Sequence, residues 1–405
     1  MRTLPSPDGS PRYRFSPQPP NNSMEPPPLR FAKHPEGRGS STDPGQPGGS
    51  HLCDTSLRLA GRLTHWVLRK SRGRWAPAAA ERHLIVERMT KLHLDTDIGG
   101  DIDDLCALAM VLNWPDVQLL AVTTVADDQG RRAGYARYAL KLAGRSDVPV
   151  AAGADVSLGC YRVKMEFPRE ADYWPEPVLP ANTPLDLALA LLERSVEQGA
   201  TIAAVGPFTN LALLERRSPG TLRNANLCLM GGYVFPPRHG FPQWENDMDW
   251  NVQVDVESAC LVIQSSNPIL VPLAVTVETS LRRAYLQTLA RSGSLSSLIA
   301  RQADSFARDE NIEARYAEKS TVLPHDTINF QHDPLACAIA LGWNDGVEMT
   351  ELPIRSEIRE GWLHIIQDDK AKPTRIVTRV DAHRFNEFWL KTVAPVNAIS
   401  QFAGA

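Results

Sequence analysis

The chain is short of several things, and each shortage removes a class of function. Its six cysteines (Cys53, Cys106, Cys160, Cys228, Cys260 and Cys337) stand singly with no CxxC or CxxxC pair, which argues against a structural zinc site or a disulfide scaffold and for a reducing compartment. Nowhere do apolar residues run to the roughly 18 needed to cross a bilayer. The polar start MRTLPSPDGSPRYR lacks the pattern of a secretory signal. A formal charge of -4 over 405 residues gives no whole-protein reason to bind nucleic acid or an anionic membrane. A soluble cytoplasmic protein is the expectation.

Hydrophobic content is also scarce through about residue 52, where Pro, Gly, Ser and Arg dominate, too little to offset chain entropy. The basic segment SLRLAGRLTHWVLRKSRGRW follows. Residues 1–88 are expected to be an unstructured extension, and MTKLHLDTDIGG, from Met89, reads as the working start of a single domain over 89–405.

From Lys91 onward the pattern changes. The runs KLHLD, VQLLAVTTV, VPVAAG, TIAAVG, NLCLMGG and NPILVPLAV are short, continuous and aliphatic, as buried parallel strands are. Amphipathic helical segments alternate with them, among them DDLCALAMVLNW and DLALALLERSVEQG. This alternation predicts a doubly wound, mostly parallel α/β sheet with helices on both faces and ligands at the carboxyl ends of the strands. Polar clusters fall at those ends: DTDIGGDIDD, TTVADDQG, VGPFTN and MGGYV. Two long, Pro-rich aromatic segments, about 160–184 and 235–251, are expected to wall the pocket, with Tyr161, Phe167, Tyr173, Trp174 and Trp244 as candidates to stack on a ligand. Residues 280–325 read as helices, ELPIRSEIREGWLHIIQ and TRIVTRVD as strands, and AHRFNEFWLKTV as a last helix.

LDTDIGGDIDD gathers Asp95, Asp97, Asp101, Asp103 and Asp104 into ten residues. Packed carboxylates repel unless a cation, a proton or a helix N-terminus offsets them. An EF-hand loop would need Glu where Cys106 stands, and no helix precedes the cluster. A phosphotransferase of the aspartyl-phosphate type shares the strand-then-DxD pattern, but three further aspartates would repel phosphate unless magnesium intervened. A hard divalent cation holding a neutral polyol fits the carboxylates directly.

LDTDIGGDIDDLCALAM, LLAVTTVADDQG, VPVAAGA, AVGPFTNLAL, LMGGY, MDWNVQVDVESA and QHDPLACA then follow in an order that closely resembles the nucleoside hydrolases of the inosine-uridine-preferring type, from about Lys91 to Val393. The resemblance implies calcium-dependent cleavage of the N-glycosidic bond of ribonucleosides by a homo-oligomer, dimer or tetramer. It implies calcium held by Asp97, Asp104, the Val205 carbonyl and Asp333, with Asp97 as general base on water and His332 as the acid that protonates the leaving base. Asp103 would grip the ribose 2'-hydroxyl. Asn251 would bind the sugar, with Asp249 in the place of a Glu, and Asn246 or Gln243 would meet the 5'-hydroxyl. His325 is an alternative acid. Departures are plain. Ile98 stands for the usual Pro, two extra residues separate Asp97 from the Asp pair, Asp101 has no role to inherit, and Asp128 stands for an Asn beneath the ribose. Asp128 and Asp249 also leave open a non-catalytic ribose- or nucleoside-binding protein. An intact mass of the natively expressed protein that begins at Met89 is expected; a full-length mass would remove that reading of the start.

Overall fold

The aliphatic runs become strands buried on both sides, and the order of those strands fixes where a ligand can sit. The computed structural model of the chain describes residues 89–156, 158 and 167–395. The expected extension, Cys160 and Tyr161 lie outside them. The strands are β1 (Thr90–Thr96), β2 (Val117–Thr124), β3 (Val150–Ala152), β4 (Thr201–Ala204), β5 (Asn226–Met230), β6 (Ile269–Val271), β7 (Ser280–Arg282), β8 (Thr327–Phe330), β9 (Val347–Arg359), β10 (Trp362–Gln367) and β11 (Pro373–Val380). Nine of them form one sheet in the order β10-β9-β11-β6-β5-β4-β1-β2-β3. It is parallel from β3 to β11, with β9 and β10 added antiparallel at the far edge.

Helices cover both faces: α1 (Asp103–Asn113), α2 (Arg131–Leu142), α3 (Leu185–Glu197), α4 (Thr209–Arg217), α5 (Val256–Ser265), α6 (Ser294–Glu310), α7 (His332–Ala340) and α8 (Ala382–Val393). The alternation along a strand divides the core in two. Ala203 and Cys228 join the cluster that contains α1 and α7, whereas the neighbouring Ile202 and Leu227 join the one that contains α4 and α5. No helix among the described residues is long and apolar enough to cross a membrane.

The doubly wound expectation holds, with a switch point. From β1 the chain steps to β2 and β3 on one side, then returns to lay β4 against the other side of β1. Crossovers of one hand therefore run over opposite faces, and a crevice opens between the carboxyl ends of β1 and β4.

Two expectations are corrected. The run NPILVPLAV is strand only through Val271, because Pro272 has no N–H to continue a ladder, and Leu273–Thr276 is a helical turn. The start of the supposedly helical 280–325 segment is β7, which pairs antiparallel with β8 in a separate two-stranded sheet. Neither strand is long enough to show a period, and their pairing spans tens of residues of chain.

The last helix anchors the first. Trp389 is fully buried, and its indole N–H donates to the Cys106 carbonyl at 3.2 Å. Truncation leaves a large void under α1, so Trp389→Ala should lower the unfolding free energy by about 3–5 kcal/mol, read from the denaturant midpoint at unchanged slope. A midpoint equal to wild type would contradict this packing.

Candidate active site

The loop after β1 is shaped by two glycines. A Cβ on Gly206, which follows β4 and Val205, would stand 2.9 Å from the backbone N and Oδ1 of Asp97 and 2.8 Å from Val125. Only glycine allows that approach, and the contact places Asp97 in the crevice between β1 and β4. Gly99 has φ +108, and a Cβ there would fall 2.4 Å from the Tyr135 ring, so the turn toward α1 also requires glycine.

Asp101, without a role by resemblance, has a structural one. Its Oδ1 accepts the backbone N–H groups of Ile102 at 2.5 Å and Asp103 at 3.4 Å, and the Asn329 side-chain amide at 2.6 Å. It therefore satisfies orphan donors at the start of α1 and ties that start to β8. Asp101 is exposed overall, and partial desolvation of its hydrogen-bonded carboxyl raises it to about 6.

Asp103 and Asp104 form the first turn of α1, and Asp333 that of α7. Carboxylate oxygens of these three buried residues lie within 4.8 Å of one another, the one such acid group among the described residues. The Asp333 N–H donates to Asp103 at 3.3 Å, and the Thr96 hydroxyl donates to Asp104. Two helix N-termini thus face the same acids, which favours negative charge there. It is not enough. Burial first, and then mutual repulsion, pushes all three carboxyls well above the ordinary carboxylate range. Asp97 is also raised by burial, with the Arg132 charge opposing. Two like charges 4 Å apart repel by about 4 kcal/mol at an effective dielectric near 20. Hard oxygen donors under that strain suit a divalent cation.

The structure places the remaining candidates as follows. The buried Val205 carbonyl accepts the Asn251 amide at 2.9 Å, and Asn251 also donates to the Met230 carbonyl at 3.2 Å. Asp249 is buried, accepts the Gly232 N–H at 2.5 Å, and leaves Oδ1 without a partner; burial raises it to about 7. Asp128 is exposed on the turn after β2. Asn246 is satisfied at both ends, by the Gln253 amide at 2.8 Å and the Leu363 carbonyl at 2.9 Å. Gln243 turns back onto the carbonyls of Arg238 and Phe241, and His325 is exposed. His332 is half-buried, with Nδ1 2.7 Å from the Thr276 hydroxyl and the rings of Phe330 and Trp244 beside it at 5.6 and 5.9 Å. Burial lowers its pKa to about 3.

The aromatic candidates divide. Tyr173 and Trp174 are core anchors, since Trp174 stacks on Tyr135 at 4.3 Å and the Tyr173 hydroxyl donates to Asp309 at 2.8 Å. Trp244 and Phe167 remain half-exposed. Sequence reasoning missed Asp127, Arg132 and Asn329, all buried: Arg132 faces Asp97 and Asp104, Asn329 holds Asp101, and Asp127 accepts the Arg132 N–H. The run DDQGRR held the signal for the first two, as a charge pair at a strand-to-helix turn. Asp95 stands behind the pocket, where Oδ1 accepts the Thr123 hydroxyl at 2.5 Å and the Asn210 amide at 2.8 Å.

Comparison with known proteins shows what the chain resembles. A pyrimidine-specific ribonucleoside hydrolase, RihA, from Salmonella arizonae is 31% identical over 224 residues, 53% of this chain and 70% of that protein. The RihA of an Enterobacter species is 32% identical over 225 residues, 53% and 69% of the two chains. Among solved structures, a plant nucleoside hydrolase superposes with a TM-score of 0.59 at 21% identity, covering 76% of this chain and 99% of that one. A purine-preferring ribonucleoside hydrolase from Gardnerella vaginalis gives 0.59 at 21%, covering 75% and 98%. At that identity the structures speak for the fold alone. Residues 92–387 match the family described as inosine-uridine preferring nucleoside hydrolase, a span that takes in both ends of the acid group, and the chain belongs to that family of hydrolases acting on ribonucleosides.

Proposed function

We propose that the chain cleaves the N-glycosidic bond of ribonucleosides with calcium at its acid group, releasing free base and ribose. The observation that carries this reading is the convergence of Asp103, Asp104 and Asp333 at two helix N-termini in the switch-point crevice, with Asp97 beside them. Asp97, Asp104, Asp333 and the Val205 carbonyl would hold the ion. When bound, it supplies positive charge that orients the sugar hydroxyls and eases deprotonation of water.

The chain's own residues then divide the work. Asp97 takes the proton from the attacking water. Asp103 accepts the ribose 2'-hydroxyl, and Asp128, whose carboxylate is exposed, lies beneath the sugar. Anionic groups below the ring favour the oxocarbenium-like transition state, which carries positive charge the ground state lacks. The unpartnered Oδ1 of Asp249 and the amide of Asn251 serve the remaining hydroxyls. Asn246, already satisfied, contributes least. His332 is neutral in the free protein. It would take up a proton from solvent once the nucleoside is bound and pass it to the base nitrogen as the C–N bond breaks. The related RihA enzymes are named as pyrimidine-specific, so uridine and cytidine are the first substrates to try. The reading implies a cytoplasmic, homo-oligomeric enzyme of base salvage. A phosphatase reading has no support in the family, and a binding protein without turnover requires that no ribonucleoside lose its base.

Asp97→Asn should abolish base release while the circular-dichroism spectrum stays native, and His332→Ala should lower kcat by about 10²-fold or more. Near-normal turnover in either variant would refute that residue's role. A second expectation concerns pH. The folded-state carboxyls of Asp103, Asp104 and Asp333 are raised above an unfolded value of about 3.9. Without metal, their contribution to stability is full below that value and is lost as pH rises through the folded pKa values, because the fold must then bury charge. Calcium offsets that charge, so the Tm gained on adding calcium should grow from pH 5 to pH 8. A gain that is absent, or larger at pH 5, would count against the site.

A further inference from the structure

Arg132 is a guanidinium at 2% exposure, and none of the roles above uses it. Its donors go to the backbones of two different loops. Nε donates to the Ala126 carbonyl at 2.9 Å, and Nη1 to the Ile98 carbonyl at 3.1 Å. Ile98 directly follows Asp97, and Ala126 precedes the Asp127-Asp128 pair. The guanidinium carbon lies over the Phe167 ring, 4.8 Å from its centroid, a cation–π contact.

Both loops need holding. On the turn after β2, Ala126 and Gln129 adopt φ of 51 and 55, left-handed values that non-glycine residues rarely take. Such backbone persists only where its surroundings over-determine it. Asp127 supplies half of the restraint, accepting the Thr124 hydroxyl at 2.7 Å and the N–H groups of Arg132 and Ala133 at 2.8 and 2.9 Å. The loop after β1 contains Gly99 and Gly100, with Ile98 rather than a ring-locked proline. Left alone, each loop would have many conformations.

We propose that Arg132 is a positioning residue that locks the two loops to each other, and so sets the separation of Asp97 and Asp128 beneath the sugar. Its consequence for turnover rests on the hydrolase reading; the lock itself rests on the two carbonyls. A planar fork with donors in fixed directions spans both at once, whereas an ammonium is a point charge on a flexible stem. Loss of the lock therefore disturbs alignment even when positive charge is kept.

The test uses the full chain as wild type, Arg132→Lys and Arg132→Met. Hydrogen exchange is followed at Ile98 and Ile102 around the first loop, at Asp127 in the second and at Ala133 where α2 begins against it, all hydrogen-bonded amides. In both variants exchange should rise in the two loops together, with β4 and β5 unchanged. Base release from uridine should show kcat down by on the order of 10²-fold even in the lysine variant, the size of effect expected from a misplacement of about 1 Å. Unchanged exchange, a rise confined to one loop, or wild-type kcat in the lysine variant overturns the proposal. If methionine prevents folding, the lysine variant decides. Should the wild type release no base from uridine, inosine, adenosine or cytidine, the hydrolase reading falls, and exchange alone decides the lock.

Discussion

Repulsion between buried carboxylates is the constraint that organises this molecule. Asp97, Asp103, Asp104 and Asp333 come together where a doubly wound sheet leaves a crevice, and burial there disfavours their charged forms. The fold answers with positive groups in fixed places: partial charges at the amino ends of α1 and α7 and on the Thr96 hydroxyl, and the full charge of the Arg132 guanidinium. These soften the repulsion without abolishing it. What is left over is the free energy with which a cation would be held.

Much of this was legible in the linear sequence, for physical reasons. Buried parallel strands must be short and aliphatic, so β1, β2, β4 and β5 stood out, and polar clusters at their carboxyl ends could only be crevice residues. Asp97, Asp104 and Asp333 needed a resemblance to be linked, because Asp333 sits far along the chain and no local pattern joins it to the others. The pair β7 and β8 was invisible, since three and four residues carry no period and their partnership is non-local. Asp101 looked like an excess charge because its partners, two backbone amides and Asn329, leave no trace in composition. Tyr173 and Trp174 resembled ligand-stacking residues for a similar reason: aromatic loops look the same whether they face a pocket or plug a core.

The polar layer behind the crevice extends the same logic. His93 reaches Ser195 at 2.8 Å and Thr123 at 2.9 Å, and Thr123 donates to Asp95. Burial lowers His93 to about 3 and raises Asp95 to about 7. Each shift moves toward the neutral form, so this layer adds hydrogen bonds to the sheet with less charge behind the acids than an exposed carboxylate and imidazolium would bring.

The single hydrogen bond from Asp333 to Asp103 joins residues 230 apart in sequence. A chain emerging from the ribosome completes strands β1 to β6 and carries most of its acids long before α7 exists. Contacts of such separation close late, because loop entropy must be met first. The grouping of Asp103, Asp104 and Asp333 is therefore a property of the chain folded through α7, and a shorter or half-folded copy would lack the third acid.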